Sequence, residues 1–490
     1  MMRRHTRTWK RSGSAFVLMT VAALVPLATT AIMRAEPKDR AENSLAAQLD
    51  KVLTGYADKR VQFGGCVIEL PSGRVLYDHN GEQPMIPASN MKLVVMSAAL
   101  DQLGKDYQFK TILAVRGKDL VVVGGGDPTI GDEKPARASG KSITAVFHGW
   151  AEKLKASGVK QIPGNIVIDD SVFDRQFTHP NWPPEQFEAW YEAPVGGLNF
   201  NANCVDVSIK PGPAGKPAQV SVIPSGAAVK MVNQTVTGKK HSARVSRTKG
   251  SDTIIVGGSV ARSDRLGPVT VRDPGLHFGQ VLRSVLVAQG IRVGGNVVRE
   301  RVRVMGDGMP ENSHVVAIEQ TPLRQAMSRA GKDSLGMMAE ALIKALGHKQ
   351  SGAGTWENGS AAVKMFLQKA GAAPGAVVDD GSGLSRKNRI SAAAMTQVLR
   401  YIHDSSGFEL LRDTLSKAGV DGTLDDRLGG PATRGRVFAK TGYINGVRTL
   451  AGYAQTKAGR WVAFAFFYNG AASTRPLTQL QDKACELLVK

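Results

Sequence analysis

The sequence predicts an α/β sandwich of the α+β kind that is split by a long β-rich insertion. Helical and strand patterns occur towards both ends of the 490-residue chain, whereas residues 108–315 change to short β-type runs separated by Gly, Pro and Asn. A chain of this length can bury a sizeable core and favours two to four domains. We therefore expect residues 36–107 and 316–490 to fold together around the insertion.

The elements before the insertion are predicted in the order helix, hairpin, helix. Residues 42–57 repeat apolar side chains with a helical period. Residues 61–68 and 74–78 read as two strands around a Pro-Ser-Gly turn, which indicates a hairpin. An almost wholly apolar helix is expected to follow from Ser89.

Strands dominate the prediction for the insertion, and helices return after it. Apolar runs bounded by turn residues predict strands at residues 164–169, 205–209, 219–222, 253–257 and 269–272. Helical patterns then cover residues 321–328, 339–347 and 361–371. Three final strands are predicted at residues 435–440, 449–455 and 461–468, followed by an amphipathic helix over 477–490.

Ser89 and Lys92 form an S-x-x-K motif at the start of the apolar helix. Residues i and i+3 share a helical face, so the lysine amine should lie beneath the serine hydroxyl. Burial lowers the pKa of a lysine, and the neutral amine can then take the hydroxyl proton. The pair is a candidate nucleophile and base, although an isolated S-x-x-K is more often a helix cap beside a solvated lysine.

Lys440, Thr441 and Gly442 form a K-T-G motif on a strand expected at the edge of a pocket. Gly442 leaves that strand bare, so a peptide can lie beside it. Lys440 offers a charge for a carboxylate, Thr441 offers a hydroxyl donor, and the backbone amides can bind an oxyanion. S-x-x-K, a later serine motif and K-T-G, in that order, are the signature of penicillin-binding proteins and serine β-lactamases.

Longer runs make this resemblance more specific. They are residues 87–92 with 98–100, 124–128, 380–385, 418–424 and 435–442. Together they resemble the D-alanyl-D-alanine carboxypeptidase/D-alanyl-D-alanine-endopeptidase family, the class C low-molecular-mass penicillin-binding proteins. The resemblance implies a penicillin-binding/serine β-lactamase-like transpeptidase sandwich. It also implies a catalytic domain of residues 36–107 plus 316–490, an inserted domain of 108–205 plus 262–315, and a nested β-rich subdomain of 206–261.

The resemblance implies a serine-type DD-peptidase that cleaves D-Ala-D-Ala ends or D-centred cross-links of peptidoglycan stem peptides. Ser89 would form the acyl-enzyme with Lys92 as base, and Ser334 would relay a proton to the leaving amine. Lys440 and Thr441 would bind the terminal carboxylate, while backbone groups of Ser89 and of the strand after Gly442 would hold the oxyanion. β-Lactams would acylate the same serine as covalent inhibitors, and the reaction requires no cofactor or metal.

The second motif departs from the family pattern. The family has Ser-x-Asn, and here Ser334 is followed by Gly336 at the asparagine position. That asparagine would bind the substrate amide and help orient the lysine, so its loss should weaken acylation or change how the substrate is held. Tyr443 also replaces the threonine usual after K-T-G. In the loop that begins at Asp379, Arg386 could meet an acidic group of the substrate or be an exposed structural arginine.

Two rival functions come from other classes, and a transpeptidase is a further alternative. A catalytically weakened protein could bind peptidoglycan without efficient turnover. A β-lactamase would need a deacylating glutamate motif, which is not evident, and the long insertion argues against it. A transpeptidase shares the acyl-enzyme and differs only in the acceptor.

Composition and charge indicate an exported protein. The formal net charge is +21, from 63 basic and 42 acidic residues, yet the sequence contains no nucleic-acid module. Attraction to an anionic envelope is the preferred reading, with solubility alone as the alternative. Basic residues before the apolar run 15–33 predict a signal peptide or N-terminal anchor over residues 1–35, and hence the periplasm or cell envelope.

Cysteine and histidine usage argues against metal and redox sites. Cys66, Cys204 and Cys485 are widely spaced, so one disulfide is possible and three buried thiols are favoured. The histidines are scattered without an H-E-x-x-H motif. Nothing in the sequence sets the oligomeric state.

Overall fold

The computed structural model describes residues 44–306 and 308–490. The predicted leader over residues 1–35 lies outside the described residues. Within the described ranges, none of the helices combines the length and apolar character that a membrane span needs.

The secondary structure confirms the elements predicted for both ends of the chain. The helices are α1 (Leu45–Leu53), α2 (Met91–Gln102), α3 (Glu133–Ala138), α4 (Ala145–Ala156), α5 (Pro274–Ala288), α6 (Leu323–Lys332), α7 (Gly336–Ser351), α8 (Trp356–Lys369), α9 (Ala392–His403), α10 (Phe408–Thr414) and α11 (Arg475–Leu488). The strands are β1 (Gln62–Glu69), β2 (Val75–His79), β3 (Gln108–Arg116), β4 (Asp119–Val123), β5 (Gln161–Ile162), β6 (Ile166–Asp169), β7 (Cys204–Lys210), β8 (Gln219–Ile223), β9 (Lys230–Thr237), β10 (Arg244–Arg247), β11 (Thr253–Val260), β12 (Asp264–Thr270), β13 (Arg292–Val293), β14 (Val297–Arg299), β15 (His314–Pro322), β16 (Ser416–Lys417), β17 (Val437–Ile444), β18 (Val447–Gln455) and β19 (Trp461–Asn469).

A six-stranded antiparallel sheet joins the two ends of the chain. Its strand order is β16-β17-β18-β19-β1-β2. Successive side chains of a strand point to opposite faces. On β19, Ala465 and Phe467 therefore pack towards α2 and α6–α10, whereas Phe464 and Phe466 pack towards α1 and α11. Helices cover both faces, which confirms the predicted sandwich.

Helix α2 runs through the core beside this sheet. All ten residues from Met91 to Leu100 are buried, including Lys92. A helix that is apolar all round is buried on every side, so the charge of Lys92 has little access to water. Ser89 lies just before the helix, in a 3₁₀ turn formed by Ala88–Asn90.

The insertion leaves and re-enters the sandwich through adjacent strands. β3 and β15 pair antiparallel at one end of a five-stranded sheet of order β14-β6-β4-β3-β15. Helices α4 and α5 pack on this sheet through Phe147, Trp150 and Phe278. Only strands were predicted within the insertion, so helices α3, α4 and α5 were not expected. Asp273 caps the first turn of α5, and Pro274 occupies its start. These two residues are a helix-start signal that stands among strand-like runs of sequence.

Strands β7 to β12 form two three-stranded sheets, β12-β7-β8 and β10-β11-β9, around a shared valine- and isoleucine-rich core. The strands predicted at 205–209, 219–222 and 253–257 are confirmed. The strand expected at 269–272 is the end of a longer strand, Asp264–Thr270, whose pairing with β7 shifts register between Leu266 and Val269. The domain boundaries stay a prediction. Cys66, Cys204 and Cys485 are free and buried, as favoured.

Candidate active site

Ser89 and Lys92 meet at the N-terminal end of α2. Lys92 Nζ donates to Ser89 Oγ over 3.1 Å and to the main-chain carbonyl of Ser382 over 2.7 Å. The lysine is 2% exposed. Burial lowers the pKa of Lys92 to about 8, while the charges of Glu340 and Asp380 oppose that shift. A hydroxyl within reach of a lysine with a lowered pKa is an activated nucleophile.

The K-T-G motif lies on β17, where Lys440 reaches the second serine motif. Lys440 Nζ donates to Ser334 Oγ over 2.9 Å and to the carbonyl of Thr441 over 2.7 Å. Lys440 is fully buried, and its pKa is lowered because of burial and the nearby charges of Lys92 and Arg448. Its ammonium therefore lies behind Ser334 rather than free in the cleft.

The backbone of Ser334 adopts an unusual conformation between α6 and α7. Its φ is +57°, in the left-handed region that non-glycine residues rarely occupy. Such strain persists where the surrounding structure holds it, often at functional sites. Here the Lys440 contact holds the side chain.

Gly442 brings β17 against the Ser89 turn. Asn90 Nδ2 donates to the carbonyl of Lys440 over 2.6 Å, and Thr449 Oγ1 donates to the carbonyl of Pro87 over 2.8 Å. A Cβ at Gly442 would lie 2.0 Å from Thr449 Oγ1 and 3.2 Å from the Ser89 nitrogen. Only glycine fits this approach.

Gly442→Ala is expected to slow acylation of Ser89 by roughly 10²-fold, because the new methyl group must push the Ser89 turn from its position. The measurement is the second-order rate constant for benzylpenicillin adduct formation by intact mass. Gly257→Ala is the control for a glycine-to-alanine change, since Gly257 also lies on a strand, has open space for a Cβ and lacks a left-handed backbone. Equal acylation rates in the Gly442 variant and the parent would contradict the expected displacement.

The outer half of β17 offers a free backbone edge. β16 pairs only with Phe438 and Ala439. Residues 440–444 have no strand partner on that side within the described part of the chain. An extended peptide can add there by main-chain hydrogen bonds.

A cleft of about 500 Å³ opens above Ser89 and Lys92. The insertion contributes one wall, the loop 382–386 a second, and the end of β17 with the residues after it a third. The lining residues are Ser89, Lys92, Pro183, Gln186, Trp190, Tyr191, Ser334, Gly336, Ser382, Gly383, Leu384, Arg386, Tyr443, Ile444 and Asn445. The loop after Asp379 thus lines the cleft.

Gly336 and Arg386 occupy different parts of this cleft. Gly336 is the buried first residue of α7. Arg386 lies at the rim, where its Nη1 donates to the carbonyl of Asn445 over 2.9 Å. Tyr443, on the same side, is 60% exposed. The structure thus brings every predicted site residue to one cleft or directly behind it.

Four contributors to the site were not predicted. Ser382 binds Lys92 through its main chain. Thr423 accepts from Thr441 over 2.9 Å. Trp190 and the neighbouring tyrosine come from the insertion. The runs 418–424 and 380–385 contain Thr423 and Ser382 and were usable signals for both loops, but neither run shows which atom contacts the site.

The D-Ala-D-Ala carboxypeptidase 3 (S13) family model matches residues 45–488. The chain belongs to the S13 family. The D-alanyl-D-alanine carboxypeptidase of Actinomadura sp. (strain R39) is 31% identical over 511 aligned residues, which cover 96% of this chain and 91% of the relative. The D-alanyl-D-alanine carboxypeptidase DacB of Haemophilus influenzae is 28% identical, over 82% of this chain and 84% of that protein.

The S13 assignment agrees with a solved structure. Penicillin-binding protein 4 (dacB) of Haemophilus influenzae superposes with a TM-score of 0.73 at 25% identity, covering 91% of this chain and 99% of that one. Family membership confirms the penicillin-binding fold and the serine-type DD-peptidase class predicted from the motifs. The role of each site residue stays a prediction.

Proposed function

We propose that Ser89 attacks the carbonyl between two D-alanines of a peptidoglycan stem peptide. The observation that carries this proposal is the 3.1 Å bond from buried Lys92 to Ser89 Oγ at the floor of the cleft. A lysine with a lowered pKa supplies the neutral amine that a serine nucleophile needs. The same geometry serves terminal D-alanines and D-centred cross-links.

Each proton that moves in the proposed reaction has a donor and an acceptor. Lys92 takes the proton of Ser89 Oγ as the Oγ–C bond forms, and backbone amides of Ser89 and of the strand after Gly442 stabilise the oxyanion. The C–N bond then breaks, and Ser334 relays the proton to the leaving amine. Water cleaves the resulting ester, which releases the shortened peptide and restores the Ser89 hydroxyl.

Lys440 acts on the substrate through its neighbours. Its ammonium is buried and bonded to Ser334 Oγ, so it provides positive potential rather than a direct contact with the terminal carboxylate. Thr441, which is only half-buried, would turn its hydroxyl from Thr423 to donate to that carboxylate. Removing either group should weaken the binding of substrates that end in a free carboxylate.

The substrate and the location of the reaction follow from the same chemistry. Peptidoglycan stem peptides supply D-Ala-D-Ala ends, and β-lactams would acylate Ser89 because their amide resembles the scissile bond. We place the reaction in the cell envelope, where this polymer lies. The excess of basic residues suits an anionic surface.

Release of D-alanine tests this function. The purified chain should release D-Ala from a stem pentapeptide ending in D-Ala-D-Ala, and prior treatment with benzylpenicillin should block release. The same pentapeptide ending in D-Ala-L-Ala should stay intact. No D-Ala release by folded protein would contradict the proposal, and rapid clearance of the penicilloyl adduct would indicate a β-lactamase.

Gly336 favours a second candidate function, a protein that binds peptidoglycan without efficient turnover. This alternative expects tight association with the pentapeptide but no D-Ala release. It also expects Gly336→Asn to create turnover. The D-Ala assay therefore separates the two functions.

Arg386→Ala is expected to raise KM about tenfold for stem peptides with a free side-chain carboxylate, because a charge-assisted hydrogen bond at the rim would be lost. The kcat should hold, since Arg386 has no part in the proposed proton transfers. A matched peptide with that carboxylate amidated is the control. An equal KM change for both peptides would show that Arg386 is structural.

A further inference from the structure

Lys92 is held by a main-chain carbonyl in this chain. Its ammonium donates to Ser382 O over 2.7 Å, a shorter contact than the 3.1 Å to Ser89 Oγ. In the family pattern, an asparagine at position 336 would help orient this lysine. Here position 336 is glycine and has no side chain to offer. The carbonyl of Ser382 is thus the acceptor available to hold the ammonium beside the nucleophile.

Glu340 fixes the peptide that carries this carbonyl. One of its carboxylate oxygens accepts from the Ser382 nitrogen over 2.7 Å. The other accepts from the Gly381 nitrogen over 3.0 Å and from Trp356 Nε1 over 2.7 Å. Glu340 is fully buried, so these bonds do not compete with water. The residue touches the loop and not the substrate.

Asp380 fixes the other side of the loop. Its carboxylate accepts from the nitrogens of Gly383 over 2.8 Å and Ser385 over 2.7 Å. It also accepts from Asn388 Nδ2 over 2.7 Å and from Trp182 Nε1, in the insertion, over 2.8 Å. With a buried carboxylate on each side, the Ser382 carbonyl has little freedom to move.

Gly336 lies close to the insertion and to the loop that carries Ser382. An ideal Cβ at this position would lie 3.2 Å from the Tyr191 carbonyl oxygen and 3.4 Å from Ser382 Cβ. A side chain at this position would therefore need the Tyr191 carbonyl to shift by a few tenths of an ångström and would touch the loop that holds Lys92. The glycine and the loop position fit each other.

We infer that the Ser382 carbonyl, held by Glu340 and Asp380 as positioning residues, orients Lys92 in place of the family asparagine. This inference rests on the proposed function, in which Lys92 is the base for Ser89. It explains how the site can acylate without an amide side chain at position 336.

Charge around the lysine supports this arrangement. Burial and Asp380 raise the pKa of Glu340, while Glu340 and Asp380 both favour the charged form of Lys92. Other charged groups face this buried region from the elements packed around it. They are Asp174, His179, Lys344, Asp379 and Lys440. The pH dependence of acylation should therefore respond to the charge at position 340.

Glu340→Gln tests the positioning role. We expect acylation by benzylpenicillin to slow by roughly 10²-fold, because a glutamine cannot accept all three bonds and the Ser382 carbonyl moves. The acid limb of the pH–rate profile should shift to lower pH, because a charge that favours protonated Lys92 is gone. Glu357→Gln, at an exposed position of α8, is the matched control and should behave as the parent.

Thermal melting first shows whether each variant is folded. A parent-like rate, or a slower rate with an unmoved acid limb, would overturn the inference. Gly336→Asn supplies a second test should the Glu340 variant fail to fold. We expect it to lower acylation, and a tenfold or greater increase would overturn the inference. Absence of any adduct in the parent would overturn the proposed function as well.

Discussion

Ser89→Ala is expected to abolish the benzylpenicillin adduct and to lower D-Ala release by roughly 10⁶-fold, the scale of loss when a serine hydrolase loses its nucleophile. Ser89 Oγ accepts a hydrogen bond from Lys92. Ser89 lies in the 3₁₀ turn before α2 and lines the cleft, so its truncation leaves the packing of the helix in place. The loss should therefore be chemical, with little change in melting temperature.

Intact mass after incubation with benzylpenicillin measures this result directly. Ser97→Ala is the matched control on the same helix. Ser97 is fully buried, and its Oγ has no hydrogen-bond partner among the described residues. The control should keep one adduct per chain, as the parent does. An adduct that survives in Ser89→Ala would assign the nucleophile to another residue.

Lys92→Met is expected to slow acylation by about 10²- to 10⁴-fold, the usual contribution of a positioned general base. The parent should show a matching pH dependence. Because the base must be neutral, the acylation rate should rise about tenfold per pH unit below the pKa of Lys92 and level off above about 8. The methionine variant should lose this limb.

Acylation rates from pH 6 to 9 provide the measurement. Lys369→Met is the control, since Lys369 is paired with Asp101 at the surface and lies away from the cleft. It should retain both the rate and the pH limb. A flat profile in the parent, or a parent-like rate in Lys92→Met, would remove Lys92 from the role of base.

The nucleophile and base were predictable because their relation is local. The i, i+3 spacing of Ser89 and Lys92 encodes their contact through helix geometry alone. K-T-G likewise predicts a bare strand edge. The partner of Lys92 in the loop was not predictable, because any residue can offer a carbonyl and Ser382 lies 290 positions away. The burial of Lys440 behind Ser334 also depends on distant packing.

The fold shows the same division between local and distant information. Helical periods, together with strands that alternate or run apolar, predicted the sandwich, since outer elements bury one face and central elements bury both. The order of strands was not predictable, because pairing of β1 with β19 depends on contacts between the two ends of the chain. In the insertion, α3 has only six residues, too few for a helical period to show. Helices α4 and α5 lie between strand-like runs of sequence, which hid their helical periods.

The pairing of β1 with β19 sets the order in which the protein can mature. While the chain is being synthesised, the N-terminal hairpin has an unpaired edge until the last strand has left the ribosome, and such edges invite aggregation. The Ser89 turn also cannot reach its final position until β17 has been synthesised, because the Asn90 side chain donates to the Lys440 carbonyl. The insertion, with its own core, can collapse earlier. Binding of a β-lactam should therefore report completion of the whole chain rather than of its first half.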